Sequence, residues 1–452
     1  MRTKRWAVSL WGMSVVLLVM VSTFGANAST ADEISVGVIG PMKFVYGDHM
    51  MTGAQMAVEK INAAGGIKVK GKAYKIVLHK TDDNSFLSTS DAVSAMERLA
   101  TMTKVNFIIG GFRTEAVLAQ QEVMADNKIV FLGLGSAHDE QCLKVARNYD
   151  RYKYWFRVSC QGNITGILNL IALADPVIRA LRTQMGIEKP RIALLMDKAQ
   201  WADPLAVDAK KIFPQMGCEI VGEWRPGFSA TSVASEMSAI KSAGAHFIFL
   251  AAAGPAGNVI NRQWGELKIP AAIEGSNTEG GRSGHWQTTN GLCNYAAVPN
   301  AFGDVEITGY TRPFYAEFTK RAGGEWPIYT GAGAYDAINL LKTAIERVDS
   351  LNADAVVSAL EKTDHVGVVG RIAFTPPGDV TPHTNIWGPK HATWILEQWR
   401  DGKKYVVWPD GREVHPALIA AGAPKGWDKV RYKGTVDYVL PPWVVEYWKG
   451  KK

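Results

Sequence analysis

Past its first two dozen residues the chain has no long hydrophobic run. The best, Phe247 to Ala253, is seven residues, against the roughly 20 that a membrane-spanning helix requires. Cysteine is scarce too: Cys142, Cys160, Cys218 and Cys293 form no CxxC pair and have no histidine at zinc-site spacing. The phosphate-cradling loops are missing as well. The first strand-like run leads into Gly40-Pro41-Met42-Lys43-Phe44 where a dinucleotide enzyme has GxGxxG, and no GxxxxGK[ST] occurs. Gly281-Arg282-Ser283-Gly284 brings its second glycine one residue too early for a GxSxG elbow. His138-Asp139-Glu140 groups ligand-type residues, but three in a row cannot easily converge on one ion, and the segment reads as loop. Basic residues never condense into a nucleic-acid footprint, and no low-complexity linker divides the chain. These absences argue against a cofactor, a metal centre, a nucleic-acid partner and an enzyme; a secreted hydrolase is the weak alternative.

What is present begins at the N-terminus. Arg2, Lys4 and Arg5 precede a largely apolar stretch from Ala7 to Phe24, followed by Ala26-Asn27-Ala28. This is the layout of a secretory signal peptide cleaved after Ala28. Ser9, Gly12 and Ser14 interrupt the apolar stretch, whose dense part is only Val15 to Val21, so an anchor is not expected. Removing residues 1–28 from the 452 leaves 424, and the formal charge of +7 loses three positive side chains to become +4. A chain of that length exceeds what one hydrophobic core usually serves, so at least two domains are expected. In an oxidising compartment the cysteines are either buried thiols or disulfides. Cys142 and Cys160 flank a polar segment with Asn148, Asp150 and Arg151 that a bridge would close, while Cys218 with Cys293 has less to recommend it.

Strand and helix signals then alternate. Ile34 to Ile39 is a β-branched run stopped by Gly40-Pro41; Met51, Ala54, Val58 and Ile61 recur at helical spacing before Gly65-Gly66. Strands at about 74–79, 105–109 and 129–132 are separated by helices at about 88–102 and 114–127. After a polar stretch at 139–153 the alternation restarts, with strands at 192–196, 219–224, 247–250 and 271–274 and helices between them. Helices follow at about 309–321 and 332–347. The pattern predicts α/β architecture with two doubly wound parallel-sheet lobes.

In such sheets a ligand sits beyond the carboxyl ends of the strands. After Ile109 the chain reads Gly110-Gly111-Phe112-Arg113-Thr114, and after Leu132 it reads Gly133-Leu134-Gly135-Ser136-Ala137. Thr114 at a helix start, with amides and hydroxyls from Gly135, Ser136 and Ala137, could bind one carboxylate. The bland alternative is an N-cap and a turn.

At this point a resemblance becomes specific. Val36-Gly37-Val38-Ile39-Gly40-Pro41, Tyr46-Gly47-Asp48, Thr52-Gly53-Ala54 and Ile61-Asn62-Ala63-Ala64-Gly65-Gly66-Ile67 resemble the opening of the branched-chain amino acid (leucine, isoleucine, valine) family of periplasmic binding proteins. Asp82-Asp83, Phe107-Ile108-Ile109-Gly110, Arg191-Ile192-Ala193, Asp197-Lys198 and Ala334-Tyr335-Asp336-Ala337 follow in matching order, over about residues 33 to 408. The resemblance implies the type I periplasmic binding protein fold, with its lobes joined by a three-strand hinge near 158–162, 299–304 and 367–372. Lobe 1 would comprise 33–158 and 304–367, and lobe 2 162–299 and 372–408. The function implied is that of an extracytoplasmic solute-binding protein of an ABC importer. Such a protein captures an amino acid or related small carboxylate by hinge closure and delivers it to a membrane permease. A ligand-sensing module for a membrane receptor is the rival, and a monomer is expected.

The family's ligand positions carry over unevenly. Thr114 takes the place of a carboxylate-binding hydroxyl, with Gly135 to Ala137 completing that site, and Tyr46 and Trp201 match aromatic residues that close over the ligand. Asn277 stands where amino-acid-binding members place an acid for the ammonium, and Ala253 where they place a tyrosine. An unpaired ammonium in a closed cleft is strongly unfavourable. Glu279, two residues on, could substitute. Phe112 and Trp201 offer flat apolar walls, Arg113 a further cation, and Ala253 frees volume, so a carboxylate with a bulky or aromatic body is expected, with branched-chain amino acids the close alternative. Seven of the fifteen tryptophans lie from Trp387 onward. The Trp/Pro-rich residues 409–452 are expected to pack on lobe 2, since so many exposed aromatics would promote aggregation; a partner-docking arm is the alternative.

Overall fold

The computed structural model describes residues 32–159 and 163–451. Residues 1–31, which hold the expected signal peptide, and Cys160 lie outside the described residues. Among the described residues no helix is long and apolar enough to cross a membrane, and no group of three or more His, Cys, Asp or Glu side chains could hold a metal ion.

The first sheet contains β1 (Asp32–Gly40), β2 (Ile67–Val69), β3 (Lys72–Asp82), β4 (Phe107–Gly110), β5 (Val130–Gly133) and β6 (Trp155–Arg157). Their order is β2-β3-β1-β4-β5-β6, with only the β2–β3 pair antiparallel. The second contains β7 (Arg191–Met196), β8 (Glu219–Trp224), β9 (Phe247–Ala252), β10 (Ala272–Asn277) and β11 (Ala297–Asn300). A small hairpin, β12 (His365–Val366) with β13 (Arg371–Ile372), precedes β14 (Ile395–Arg400) and β15 (Lys403–Trp408). The second sheet runs β15-β14-β11-β10-β9-β7-β8, antiparallel at β11–β14–β15 and parallel elsewhere. The central strands β4, β5 and β9 are buried along their whole length, as strands covered by helices on both faces must be.

One core gathers residues from Ile34 to Val158 and again from Ala301 to Ala392. Helices Val45–Ala63 and Tyr329–Val348, from those two stretches, lie so close that a Cβ on Gly53 would sit 2.0 Å from the Gly331 carbonyl oxygen. Two further clusters fill the faces of the second sheet. The chain passes between lobes after β6, after β11 and again just before β14. The third passage corrects the boundary expected at 367–372. Residues 373–392 stay with the first lobe, where the Arg157 amide donates to the His383 carbonyl at 2.8 Å and the Asn385 amide to the Arg157 carbonyl at 3.1 Å. Ile372, Phe374 and Ala392 are buried in the first core. That segment carries neither helical nor strand periodicity, so its attachment rests on tertiary hydrogen bonds.

The polar stretch at 139–153 is also not a loop. It forms two short helices, Glu140–Arg147 and Tyr149–Tyr152, with the Asn148 side chain capping the second through the Arg151 amide. Cys142 is a buried free thiol whose pKa burial pushes up. Cys218 and Cys293 are also free and lie in different clusters. Residues 409–451 pack on the second lobe: Val414, Leu418, Trp427, Tyr438 and Leu440 enter its core.

Candidate functional site

Between the lobes, beyond the carboxyl ends of both sets of parallel strands, lies a cavity of about 220 Å³. That exceeds the ~150 Å³ of a cavity able to hold a benzene ring. From the first lobe come Phe112, Arg113, Thr114 and Glu115 after β4, and Gly135 and Ala137 after β5. The two loops can meet because residue 135 is glycine: a Cβ there would stand 2.7 Å from the Gly111 carbonyl oxygen.

Arg113, with φ −72° and ψ 130°, is the N-cap of helix Thr114–Asn127, and its side chain does not cap. Thr114 is therefore the first helical residue and not the cap. Its amide and that of Glu115 belong to the first turn, where amides have no acceptor within the helix. The Thr114 hydroxyl lies 3.2 Å from the Ser136 hydroxyl, which also accepts from the Gln141 side chain. Ser136 thus supports Thr114 from behind and does not line the cavity. Arg113 is committed, donating to Glu115 at 3.1 Å and to the Phe86 carbonyl at 2.9 Å.

The second lobe supplies Trp201 and Ala253, as expected, together with Lys198, which has no carboxylate within ion-pair distance among the described residues. Asp197, buried at the end of β7, organises this side. Its Oδ2 accepts from the Ala253 amide at 2.8 Å. Burial nevertheless pushes its pKa up to about 6.

Besides Ser136, three expected residues do not line the cavity. Asn277 turns away: its amide donates to the Gly257 carbonyl at 3.1 Å and to Asn261 at 2.6 Å, and its oxygen accepts from the Gly280 amide. Ser276 and Thr278 line the cavity, while Asn277 lines only a smaller adjoining pocket. Glu279 is buried and fully engaged: Oε1 accepts from Tyr46 at 2.7 Å, and Oε2 from Asn258 and Arg282, both at 2.9 Å. Tyr46 lies behind the wall, 1% exposed and stacked on Phe112 with centroids 4.4 Å apart. Burial and the Glu279 charge raise its pKa well above the usual value, keeping it a donor.

Sequence reasoning missed Phe86 and Phe228, each four residues past a strand end, where the rule applied to two loops would have found them on all. Ile167, Leu170 and Leu205 on helices, and Tyr329 and Trp394 near the hinge, carry no signal that separates cavity wall from core.

The sequence model described as periplasmic binding protein matches residues 33–390. The chain belongs to that family. It is 25% identical over 406 residues to Leu/Ile/Val-binding protein homolog 1 of Brucella suis biovar 1, covering 86% of this chain and 96% of the relative. In fold it is similar to the branched-chain amino acid transporter substrate-binding protein of Streptococcus pneumoniae in complex with isoleucine (TM-score 0.66, 21% identity, 83% and 99% of the two chains). It is equally similar to a solute-binding protein of an ABC transporter from Rhodopseudomonas palustris BisB5 in complex with 3,4-dihydroxybenzoic acid (TM-score 0.66, 18% identity, 83% and 96%). A periplasmic binding protein of the ABC-transporter type thus accounts for fold and cleft alike, and its relatives hold both amino acids and aromatic acids.

Proposed function

We propose that this periplasmic binding protein, exported after removal of residues 1–28, captures a carboxylate with a bulky or aromatic body and delivers it to a membrane permease. The observation that carries the reading is the cavity's charge inventory. Among the described lining residues its one carboxylate, Glu115, is paired with Arg113, while Asn277 and Glu279 have their polar atoms engaged outside it. An ammonium brought into the closed cleft would find no unpaired acid among the described lining residues, and that costs several kcal/mol. A carboxylate, by contrast, meets Thr114, two first-turn amides at the positive end of a helix, and Lys198. Phe86, Phe112, Trp201, Phe228 and Trp394 supply the flat apolar surface that a ring buries against.

The test is a thermal-shift and calorimetry panel on protein recovered from the native host's periplasm, whose intact mass should begin at Ser29. Benzoate-type acids are expected to raise the melting temperature, because a ligand that binds only the folded state stabilises it. If leucine or valine binds with sub-micromolar affinity and the aromatic acids do not bind, the reading is wrong and an acid such as Glu279 must swing into the cavity.

A further inference from the structure

Tyr46 is the second residue of the first helix of lobe 1, and Glu279 lies in the turn after β10 of lobe 2, 233 residues away. The two form a buried 2.7 Å hydrogen bond across the cleft. A second cross-lobe contact, 3.0 Å between the Tyr46 and Thr278 hydroxyls, lies beside it. Both partners are held from behind. The Tyr46 carbonyl accepts from the Thr330 hydroxyl at 2.9 Å, and Glu279 is fixed by Asn258 and Arg282. In front, the Tyr46 ring stacks on Phe112, Phe112 meets Phe86 edge-on at 5.4 Å, and Phe86 meets Phe228 of the other lobe at 5.3 Å. Phe86, Phe112 and Phe228 all line the cavity, whereas Tyr46 and Glu279 do not.

We propose that Tyr46 and Glu279 form a clasp that holds the lobes shut without touching the ligand, so that part of the closure energy belongs to the protein itself. Tyr46 is a positioning residue, coupled to the ligand through the Phe112 ring it backs. A ligand that packs against Phe112 keeps the Tyr46 hydroxyl on Glu279, and an empty cavity leaves that ring free to shift. The clasp rests on the hinge-closure reading but not on the identity of the ligand.

The test uses the mature chain with Tyr46→Phe, which keeps the ring stack and removes only the hydroxyl, with Glu279→Gln and with both. Small-angle scattering of the ligand-free protein reads the open-to-closed ratio, and calorimetry with benzoate reads affinity. Losing a hydrogen bond to a charged group is expected to shift the ligand-free ratio toward open by roughly tenfold to a hundredfold. The benzoate dissociation constant should rise in proportion, and the double variant should add little beyond either single one. An unchanged scattering profile in both single variants, or fully additive effects, overturns the clasp. Failure of benzoate to bind the unaltered protein would sink the ligand-class reading alone, because the ligand-free profile still decides the clasp.

Discussion

Thr114 shows how much depends on one residue's place in a helix. Had it been the N-cap, its hydroxyl would be spent on its own first turn. Because Arg113 takes that position, the hydroxyl is left to the cleft and to Ser136. Thr114→Ala is expected to weaken binding of whichever acid of the panel binds by roughly tenfold to a hundredfold, the worth of one hydrogen bond to a charged group. The melting temperature of the ligand-free protein should stay nearly constant. Unchanged affinity by calorimetry would remove Thr114 from the site. Ser136→Ala should have a smaller effect in the same direction, since Ser136 touches Thr114 and not the cavity.

Among the elements, the C-terminal helix Pro442–Lys449 distinguishes this chain from the region covered by the family match, which ends at 390. It is bound to lobe 2 by two indoles. Trp443 donates to the Ile269 carbonyl at 3.0 Å and meets Trp264 at 5.1 Å, and Trp448 donates to the Pro270 carbonyl at 2.6 Å. Trp443→Ala is expected to cost about 2–3 kcal/mol, below the full range for a buried tryptophan because Trp443 is half-buried. Denaturant unfolding measures this, and benzoate affinity should not change. A loss of uptake with no loss of stability would instead make the helix a docking arm. Among the elements most legible in the sequence, Phe247–Leu250 is an unbroken apolar run buried throughout, which fits little else, and Ile34–Ile39 alternates β-branched residues with small ones. Helices Glu140–Arg147 and Tyr149–Tyr152 escaped because most of their residues are polar. They are held by Cys142 and Val145 inward and by Arg151 on Glu122 and Asp126 outward. That the loops after β4 and β5 reach the cavity was legible from the strand-end rule. Which residue at the end of β10 faces the cavity was not legible, because that depends on where β10 stops alternating.

At the scale of the whole molecule, opposing sets of buried ionisable groups shape the pH dependence of stability. Burial lowers His49 and His285 to about 3 and His246 to about 4. Between those values and 6.5 the unfolded chain holds protons the native one does not, so these groups add stability as pH rises to about 6.5. Burial raises Asp175 and Asp197 to about 6 and Asp336 to about 7, and holds Glu274, which has no hydrogen-bond partner, well above the usual carboxylate range. There the native state holds the extra proton. Stability from these groups is complete below the unfolded carboxylate pKa near 4 and falls as pH rises through the folded values. Each uncompensated proton is worth about 1.4 kcal/mol per pH unit. Among these seven groups the two sets oppose each other from about pH 4.5 to 6.5, whereas below pH 4 the histidine loss remains and above 6.5 Asp336 and Glu274 still titrate. Urea midpoints across pH 3 to 9 are therefore expected to trace a plateau between those limits with a decline on either side. Glu274→Gln, which keeps the shape of the protonated acid, should match the unaltered protein near pH 4.5 and exceed its stability at pH 8. Stability that instead climbs steadily from pH 5 to 8, in both proteins alike, would mean that these carboxyls are ionised in the folded core and that Glu274 has found a partner.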